Sequence, residues 1–338
     1  MNDDKSSNIV LLVGFPRSGT SWCSNLLNAN KDICYRHEMI GRNHELFGQE
    51  LFTALKENNG LTEAEYSQAI KIIRSAHIES DKPPFFKKNS GLKKYPKFQY
   101  MVWALAKLVK IVRPLYNLLF SVSSTSPTKM LLKETRSLKN MKSMASGLKV
   151  SNLICLVRLP HGTIASHVKG VKKGTMRQVK PSQKAEILSE INQSKLQDLK
   201  SLIQNIKQPE DMSDIAYYAA SWTLYHEELL ELQQLFKQCV ICFYDDLVNA
   251  PVEQTQQLLA KIGLQYDSAT SEFINSSSQG EAPILKDAGD KYFSVYRDAS
   301  FNKDAWREQL SNEDIAIIDK YCMPMYSKLK DIISTDSL

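Results

Sequence analysis

The feature that most constrains the fold is an apolar run that ends in a glycine-containing loop and continues as a helical pattern. Residues 9–15 read IVLLVGF, the loop PRSGTSW follows, and a helix is expected from about Ser18 to Ala29. A strand that is apolar on both sides is typical of a parallel sheet covered on both faces. In such a strand–loop–helix unit, backbone N–H groups and the helix N-terminus face an anion. The segment therefore predicts an anion-binding loop.

Further strand-length apolar runs follow, each with a helical pattern behind it. They are KMLLKE (129–134) before a helix near 137–147, NLICLVR (152–158) before HGTIASHVKG, and QCVICFYDDL (238–247) before APVEQTQQLLAKIG. This alternation predicts an α/β fold with a parallel central sheet flanked by helices. We expect one domain over residues 1–338, with the loop and its helix at 8–38, a second strand–helix unit at 152–170, and helical insertions at 40–128 and 182–236.

Composition is ordinary for a globular protein, and the net charge of +6 suits an anionic ligand without arguing for nucleic acid. The polar start MNDDKSSN predicts no signal peptide, so the cytoplasm is the expected location. The most apolar later segment, residues 101–120, contains three basic residues and Pro114. Those features argue against a membrane span and favour a basic helical pair, packed on the body or lying at an interface. Oligomeric state is not indicated.

The loop departs from the usual nucleotide phosphate loop at one position. Gly14 and Gly19 have the G-x4-G spacing, but Thr20 stands where a lysine would reach the β- and γ-phosphates. Arg17 supplies a cation inside the loop instead, and Ser18 adds a hydroxyl. A P-loop kinase or NTPase is only the second interpretation, because this chain lacks both that lysine and a clear Mg²⁺-binding acidic residue.

At this point the residues resemble a known family. PRSGTSW is similar to the 5′-phosphosulfate loop of sulfotransferases that use 3′-phosphoadenosine 5′-phosphosulfate (PAPS), usually PKSGTTW or PRSGTT. The resemblance implies that Trp22 contacts adenine. It also implies that the 5′-phosphosulfate is held by Arg17, Ser18, Gly19, Thr20 and Ser21.

Two more segments carry the resemblance. LVRLPHGTIASHVKG supplies Arg158 and, eight residues later, Ser166, which in the family grip the 3′-phosphate; RLPHG replaces the usual RDPRD. A guanidinium and a hydroxyl are suitable donors for a phosphate. His161 and His167 in this segment are expected to be surface or helix residues. VICFYDDLVNAPVEQTQQLLAKIGL resembles a structural segment of the family that consists of a strand, an acidic turn and a docking helix. The C-terminal segment resembles the family's closing segment and offers Arg297 as a contact to the 3′-phosphate, although the RKG triplet of the cytosolic members is absent.

Sulfuryl transfer needs a base for the acceptor proton and cations for the developing charge. Arg17 is one cation, and Lys133, at the end of MLLKE, is the second. By resemblance to tyrosylprotein-type members, an ungapped count from Arg17 places the base at Glu38, with Glu134 second and His37 third. We expect burial to raise the pKa of Glu38. The loop and Glu38 are expected at the two ends of one helix.

The resemblance thus implies a sulfotransferase that moves a sulfuryl group from PAPS to a hydroxyl and releases adenosine 3′,5′-bisphosphate, without a metal. The acceptor class stays open among small hydroxylated molecules, glycans, lipids and peptide tyrosine. Region 40–128, lysine-rich over 83–113, is the expected acceptor-binding region. A PAPS-binding protein without activity is a further alternative.

Overall fold

A computed structural model describes residues 8–57, 60–135, 141–236, 238–278 and 304–336, with side chains as far as residue 332. Arg297 lies outside the described residues, so its assignment stays a prediction. Within the described ranges, every helix is too short or too polar to cross a membrane.

The strands are β1 (Ile9–Gly14), β2 (Ile33–His37), β3 (Lys129–Glu134), β4 (Asn152–Val157) and β5 (Cys239–Phe243). The helices are α1 (Thr20–Ala29), α2 (Gln49–Lys56), α3 (Glu63–Arg74), α4 (Pro96–Leu108), α5 (Arg113–Phe120), α6 (Met141–Gly147), α7 (Pro160–Lys172), α8 (Pro181–Gln193), α9 (Gln197–Ile203), α10 (Asp214–Leu235), α11 (Tyr244–Asn249), α12 (Pro251–Lys261), α13 (Ser268–Ser278) and α14 (Asn312–Asp336). The described residues form two compact units. Unit 1 takes in those of Met1–Gly14, Gly19–Leu156 and Phe236–Ala299, and unit 2 those of Phe15–Ser18, Val157–Leu235 and Ser300–Leu338.

Unit 1 contains a five-stranded parallel sheet in the order β2-β3-β1-β4-β5. All six residues of β1 are buried, as an apolar central strand requires when helices cover both faces. The predicted α/β class with a parallel, helix-flanked sheet is therefore confirmed. Register sets Lys133 of β3 beside Leu12 of β1 and His37 of β2, so the carboxyl ends of these three strands meet at one edge.

Strand β2 is the element that the sequence pattern did not reveal. Its sequence ICYRH carries a charged residue where a buried strand is normally apolar. Arg36 is nonetheless 1 % exposed, because its guanidinium pairs with Asp81 Oδ1 at 2.8 Å and donates to the Ile73 carbonyl at 3.0 Å. A buried charge that is paired and hydrogen-bonded is tolerated in a core strand.

Two local predictions were wrong. The acidic turn expected after the last strand is helical, since β5 ends at Phe243 and α11 begins at Tyr244. Glu38 does not lie at the far end of the loop helix, because α1 ends at Ala29 and β2 then runs back along the sheet. Glu38 follows the carboxyl end of β2, and α1 follows the carboxyl end of β1, so parallel strands bring both to the same sheet edge.

Unit 2 is helical. Helices α10 and α14 pack along each other, and Thr223 Oγ1 donates to the Tyr321 carbonyl at 2.7 Å between them. Trp222 and His226 are fully buried on α10. Helix α7 packs against both α10 and α14. This packing fixes the helix that carries Ser166.

Candidate active site

The first cluster of predicted site residues lies in unit 2, where the segment Phe15–Ser18 contacts α7. Arg17 Nε donates to Ser166 Oγ at 3.1 Å, and Arg158 Nη1 donates to the Arg17 carbonyl at 3.2 Å. Arg17 and Ser166 are 149 positions apart in sequence. The structure thus brings together three residues from two separate motifs, and two of them are cationic.

Arg17 has a φ of 74°, in the left-handed region that a residue with a Cβ seldom occupies. Among the described residues, the non-glycine residues with positive φ are Arg17, Glu38 and Lys149, so two of the three are predicted site residues. Strained backbone persists where the surroundings hold it, and it is frequent at functional sites. The contacts to Ser166 and Arg158 hold Arg17 in this conformation.

His167 positions the loop. Its Nε2 is 3.1 Å from the Pro16 carbonyl, which can only accept, so this nitrogen carries the proton. Burial lowers the pKa of His167 to about 4, which keeps the ring neutral. The ring also stacks on Tyr218 at 4.8 Å and meets the edge of Phe15 at 5.8 Å. His167 is therefore a buried helix residue that holds the loop backbone.

Gly162 makes room for the Arg158 guanidinium. A Cβ at this position would lie 3.1 Å from Arg158 Nε and 3.3 Å from Nη2. The sequence showed only that RLPHG departs from RDPRD. Gly162, the last residue of RLPHG, is the functional part of this difference, because the absence of a side chain there lets the Arg158 guanidinium lie close to α7. His161, on the same helix, is buried as well, with Nε2 3.1 Å from Asp319 Oδ1.

Ser18 supplies a buried hydroxyl that fits an anion site. It is fully buried, and its Oγ has no hydrogen-bond partner among the residues that the structure describes. A buried hydroxyl without a partner is costly, and a bound anion would satisfy it. Its backbone N–H donates to the Phe15 carbonyl at 3.0 Å, which closes the turn.

The second half of the loop begins α1 in unit 1. Gly19 has a φ of 93°, and a Cβ there would lie 2.4 Å from the Tyr244 ring. Only glycine satisfies both conditions. Among the described side chains none caps α1, so its first N–H groups remain available in the way that suits an anion. Thr20 is buried and Ser21 is exposed.

Trp22 is placed differently from its neighbours in the loop. It is 8 % exposed and lies in the main core cluster of unit 1, edge-on to Tyr244 at 5.8 Å. Its predicted contact with adenine stays a prediction, and the contact that the structure shows is with the core.

A second cluster, in unit 1, surrounds Glu38. Lys133 Nζ and Thr135 Oγ1 both donate to Glu38 Oε1 at 2.9 Å. The Glu38 N–H donates to the Lys133 carbonyl at 2.9 Å, so backbone and side chain are both anchored to β3. Lys133 and Thr135 share one side of this strand end because side chains alternate along a strand. Thr135 was missed at the sequence level, although its i+2 spacing from Lys133 was a usable signal.

The expected pKa shift of Glu38 was wrong in direction. Burial favours the neutral acid, but the Lys133 charge and the hydrogen bonds from Lys133 and Thr135 outweigh it and lower the pKa to about 2. The residue is therefore a carboxylate at neutral pH. Sequence reasoning placed Lys133 in the site as a cation for the sulfuryl group, but it considered only burial for the pKa of Glu38 and did not foresee the direct ion pair between the two side chains.

Glu134 has the opposite environment. Burial, opposed by hydrogen bonds from the Ile40 and Gly41 N–H groups, raises its pKa to about 7. Those donors lie 2.8 Å from Oε1 and 3.0 Å from Oε2. Both carboxyl oxygens are thus engaged with the backbone after β2, which gives Glu134 a clear role in shaping the segment around Glu38.

His37, the third candidate base, is tied to its own strand. Its Nδ1 is 2.8 Å from the Tyr35 hydroxyl, and its Nε2 is 4.0 Å from Glu38 Oε2. Burial and the nearby Lys133 charge lower its pKa to about 4. His37 is therefore neutral at pH 7 and contributes no charge beside Glu38.

The structure thus shows an α/β protein in which a parallel strand leads into a glycine-containing loop, and Arg158 and Ser166 of a later strand–helix unit contact Arg17 of that loop. A sequence profile of the sulfotransferase family matches residues 10–268. The match covers most of the chain and both motifs. The chain belongs to the sulfotransferase family.

Individual relatives are distant. Carbohydrate sulfotransferase 1 of Mus musculus is 26 % identical over 86 residues, which is 25 % of this chain and 20 % of that protein, so the match spans about a fifth of the relative's length. The sulfotransferase domain of the Synechococcus PCC 7002 olefin synthase is 15 % identical, with 94 % of this chain and 96 % of that chain covered and a TM-score of 0.42. Mouse sulfotransferase SULT7A1, solved in complex with PAP, is 12 % identical, with 92 % and 82 % covered and a TM-score of 0.43.

Proposed function

We propose that this protein transfers a sulfuryl group from PAPS to a hydroxyl acceptor and releases adenosine 3′,5′-bisphosphate. The observation that carries the proposal is the meeting of Arg17, Ser166 and Arg158 within hydrogen-bond distance. Two guanidinium groups and a hydroxyl in one cluster are suited to an anion with several phosphate or sulfate oxygens. Membership of the sulfotransferase family supports the same reaction class.

The residues present fit the donor. Arg17, the buried Ser18 hydroxyl and the uncapped start of α1 at Gly19, Thr20 and Ser21 would hold the 5′-phosphosulfate. Arg158 and Ser166 would hold the 3′-phosphate, and Arg297 would join them. In this arrangement Gly162 and His167 act as positioning residues, because one makes room for Arg158 and the other fixes the loop backbone.

Glu38 is our proposed base. It is ionised at neutral pH, which is the protonation state that a base requires, and Lys133 and Thr135 orient it through Oε1. A carboxylate with a pKa of about 2 is a weak base while the Lys133 ammonium group is fully paired with it. We infer that Lys133 divides its charge between Glu38 and the sulfuryl oxygens. Any shift of that charge toward the donor raises the pKa of Glu38 and strengthens it as a base at the moment of transfer.

Glu134 is the alternative base, favoured by a pKa of about 7 but disfavoured by the two backbone N–H groups on its oxygens. Matched variants separate the two. Glu38→Gln should abolish transfer while PAP binding persists, whereas Glu134→Gln should lower transfer in proportion to its effect on stability. If Glu134→Gln abolishes transfer in folded protein and Glu38→Gln does not, the assignment of the base is reversed.

The reaction is tested by incubating the purified protein with sulfur-labelled PAPS and panels of small hydroxylated molecules, glycans and lipids. We expect label in at least one acceptor, without added metal, and loss of that label in Lys133→Met. Thermal unfolding with PAP or with Mg²⁺·ATP distinguishes the donor class, because a ligand that binds the native state raises its unfolding temperature. Protection by Mg²⁺·ATP with metal-dependent turnover would identify a kinase or NTPase, and PAP binding with no labelled acceptor would identify a binding protein without activity.

A further inference from the structure

The surface of unit 1 carries an apolar patch on the pair of helices α4 and α5. Of the twelve large apolar side chains that are exposed in the described part of the chain, ten lie between residues 95 and 118. We name these ten the α4–α5 patch: Tyr95, Phe98, Tyr100, Met101, Leu105, Leu108, Val109, Ile111, Leu115 and Leu118. Leu108 and Ile111 are the most exposed, at 84 % and 86 %.

The patch is not the packing face of these helices. On α4 the buried residues include Val102, Trp103 and Ala106, which form a core cluster with Tyr116 and Phe120 of α5. The exposed stripe of α4 recurs at 98, 101, 105 and 108, on a face about 130° away at 100° per residue. A surface helix normally places polar residues on its outward face, so an apolar outward face indicates a surface that becomes covered.

The charge around the patch identifies what covers it. Residues 82–133 contain no Asp or Glu, whereas the helical pair contains Lys97, Lys107, Lys110 and Arg113. The three lysines are exposed. Arg113 pairs with Glu79 at 3.0 Å and is half-buried. An apolar face rimmed by lysines matches a bilayer surface with anionic headgroups, because lysines attract such headgroups while apolar side chains enter the acyl boundary.

A protein partner fits this surface less well. Protein–protein interfaces are depleted in lysine, and their polar rims mix both charge signs. Tyr95 and Tyr100, exposed beside the lysines, have the amphipathic rings that concentrate at the membrane–water boundary. The long lysine side chains can lie along the apolar face and keep their ammonium groups at headgroup level.

We propose that the α4–α5 patch docks this protein on the surface of an anionic lipid bilayer, without spanning it. The docking does not depend on the reaction proposed above. It concerns a surface that contains none of the residues assigned to the donor or to the base.

The test is sedimentation of the full chain with sucrose-loaded vesicles of phosphatidylcholine alone or of phosphatidylcholine with one-third phosphatidylserine. We expect binding to the serine-containing vesicles, at least about tenfold weaker binding to the neutral ones, and a loss of binding as salt rises. The variant Lys97→Gln/Lys107→Gln/Lys110→Gln should bind about 100-fold more weakly, because each lysine near the surface contributes about 1 kcal/mol. The variant Leu108→Asn/Ile111→Asn should lose at least about tenfold, since its apolar contact with the acyl boundary is removed.

Matched controls change equal numbers of exposed side chains elsewhere. Lys207→Gln/Lys261→Gln/Lys320→Gln lowers the net charge equally, and Leu235→Asn/Val252→Asn replaces the two large apolar residues that are exposed outside the patch in the described ranges. Both should bind like the wild type, and all four variants should keep its unfolding temperature. Absence of wild-type binding, or equal losses in patch and control variants, would overturn the proposal. A wild-type dimer that ignores vesicles and becomes monomeric in Leu108→Asn/Ile111→Asn would instead assign the patch to a second copy of the chain.

Discussion

The ion pair between Lys133 and Glu38 yields the prediction that the structure constrains most closely. The two side chains are 2.9 Å apart, and both residues are buried, with exposures of 2 % and 6 %. Lys133→Met keeps a chain of similar length and removes the ammonium group. The Glu38 carboxylate then remains buried without its cation, which destabilises a fold more than loss of a surface pair does.

The magnitude follows from the pKa of Glu38. Its net fall from 4.5 to about 2 corresponds to about 3 kcal/mol at about 1.36 kcal/mol per pKa unit, after burial has offset part of the favourable interactions. Thr135 supplies part of this shift and solvent screens another part, so we expect Lys133 and Glu38 to couple by about 2 kcal/mol. Since the folded pKa lies below the unfolded one, this stabilisation is present above pH 4.5 and is lost as the pH falls from 4.5 toward 2.

The assay is a double-mutant cycle of Lys133→Met and Glu38→Gln, with urea unfolding at pH 7 and at steps down to pH 3. Lys149→Met with Glu63→Gln is the matched control, because that pair is exposed at 3.3 Å and should couple by less than about 0.5 kcal/mol at any pH. A Lys133–Glu38 coupling as small as the control, or one that grows as the pH falls, would refute the assignment of the Glu38 pKa.

Three further predictions concern residues beside Glu38 and the glycine at the start of α1. The pKa of Glu134 in the folded protein is about 7, above its ordinary 4.5, so the free energy of unfolding should fall as the pH rises from 4.5 to 7. In Glu134→Gln, urea titrations should show a smaller fall of the unfolding free energy over the same pH range. Gly19→Ala should lower the free energy of unfolding by about 2–4 kcal/mol, because it adds a steric contact with the Tyr244 ring to the strain of a positive φ. The control Gly263→Ala, at a φ of 71° with nothing described within 4 Å, should lower it by about 1 kcal/mol, and equal losses in the two variants would exclude the steric contact. Thr135→Val removes a donor to the proposed base and should move the acid limb of the pH–rate profile up by about one unit, and an unmoved limb would contradict the role.

The architecture was predictable because its signals are local. β1 and β3 are apolar runs of strand length, and the loop between β1 and α1 combines glycine spacing with a cation. The motifs that contain Arg17 and Ser166 were each recognisable as short local patterns, whereas the contact between these two side chains, 149 positions apart, came from the structure. Such features need no knowledge of which strands are neighbours.

The features that sequence analysis missed depend on contacts between residues far apart in the chain. β2 was hidden because Arg36 is buried through its pairing with Asp81, 45 positions away. The pKa of Glu38 was misjudged because its environment is set by the register of β2 against β3, which brings Lys133 to it. Sequence spacing cannot supply that register, so both the strand and the sign of the shift required the fold.

On the proposed function, Arg158 and Ser166 hold the 3′-phosphate of the donor. Isothermal titration calorimetry with PAP and with adenosine 5′-monophosphate, which lacks that phosphate, measures this contribution. We predict micromolar PAP binding, at least about 100-fold weaker binding of the monophosphate, and loss of that preference in Arg158→Ala but not in the control Arg177→Ala. Folded wild-type protein that binds both ligands equally, or neither, would rule out a 3′-phosphate site at Arg158 and Ser166.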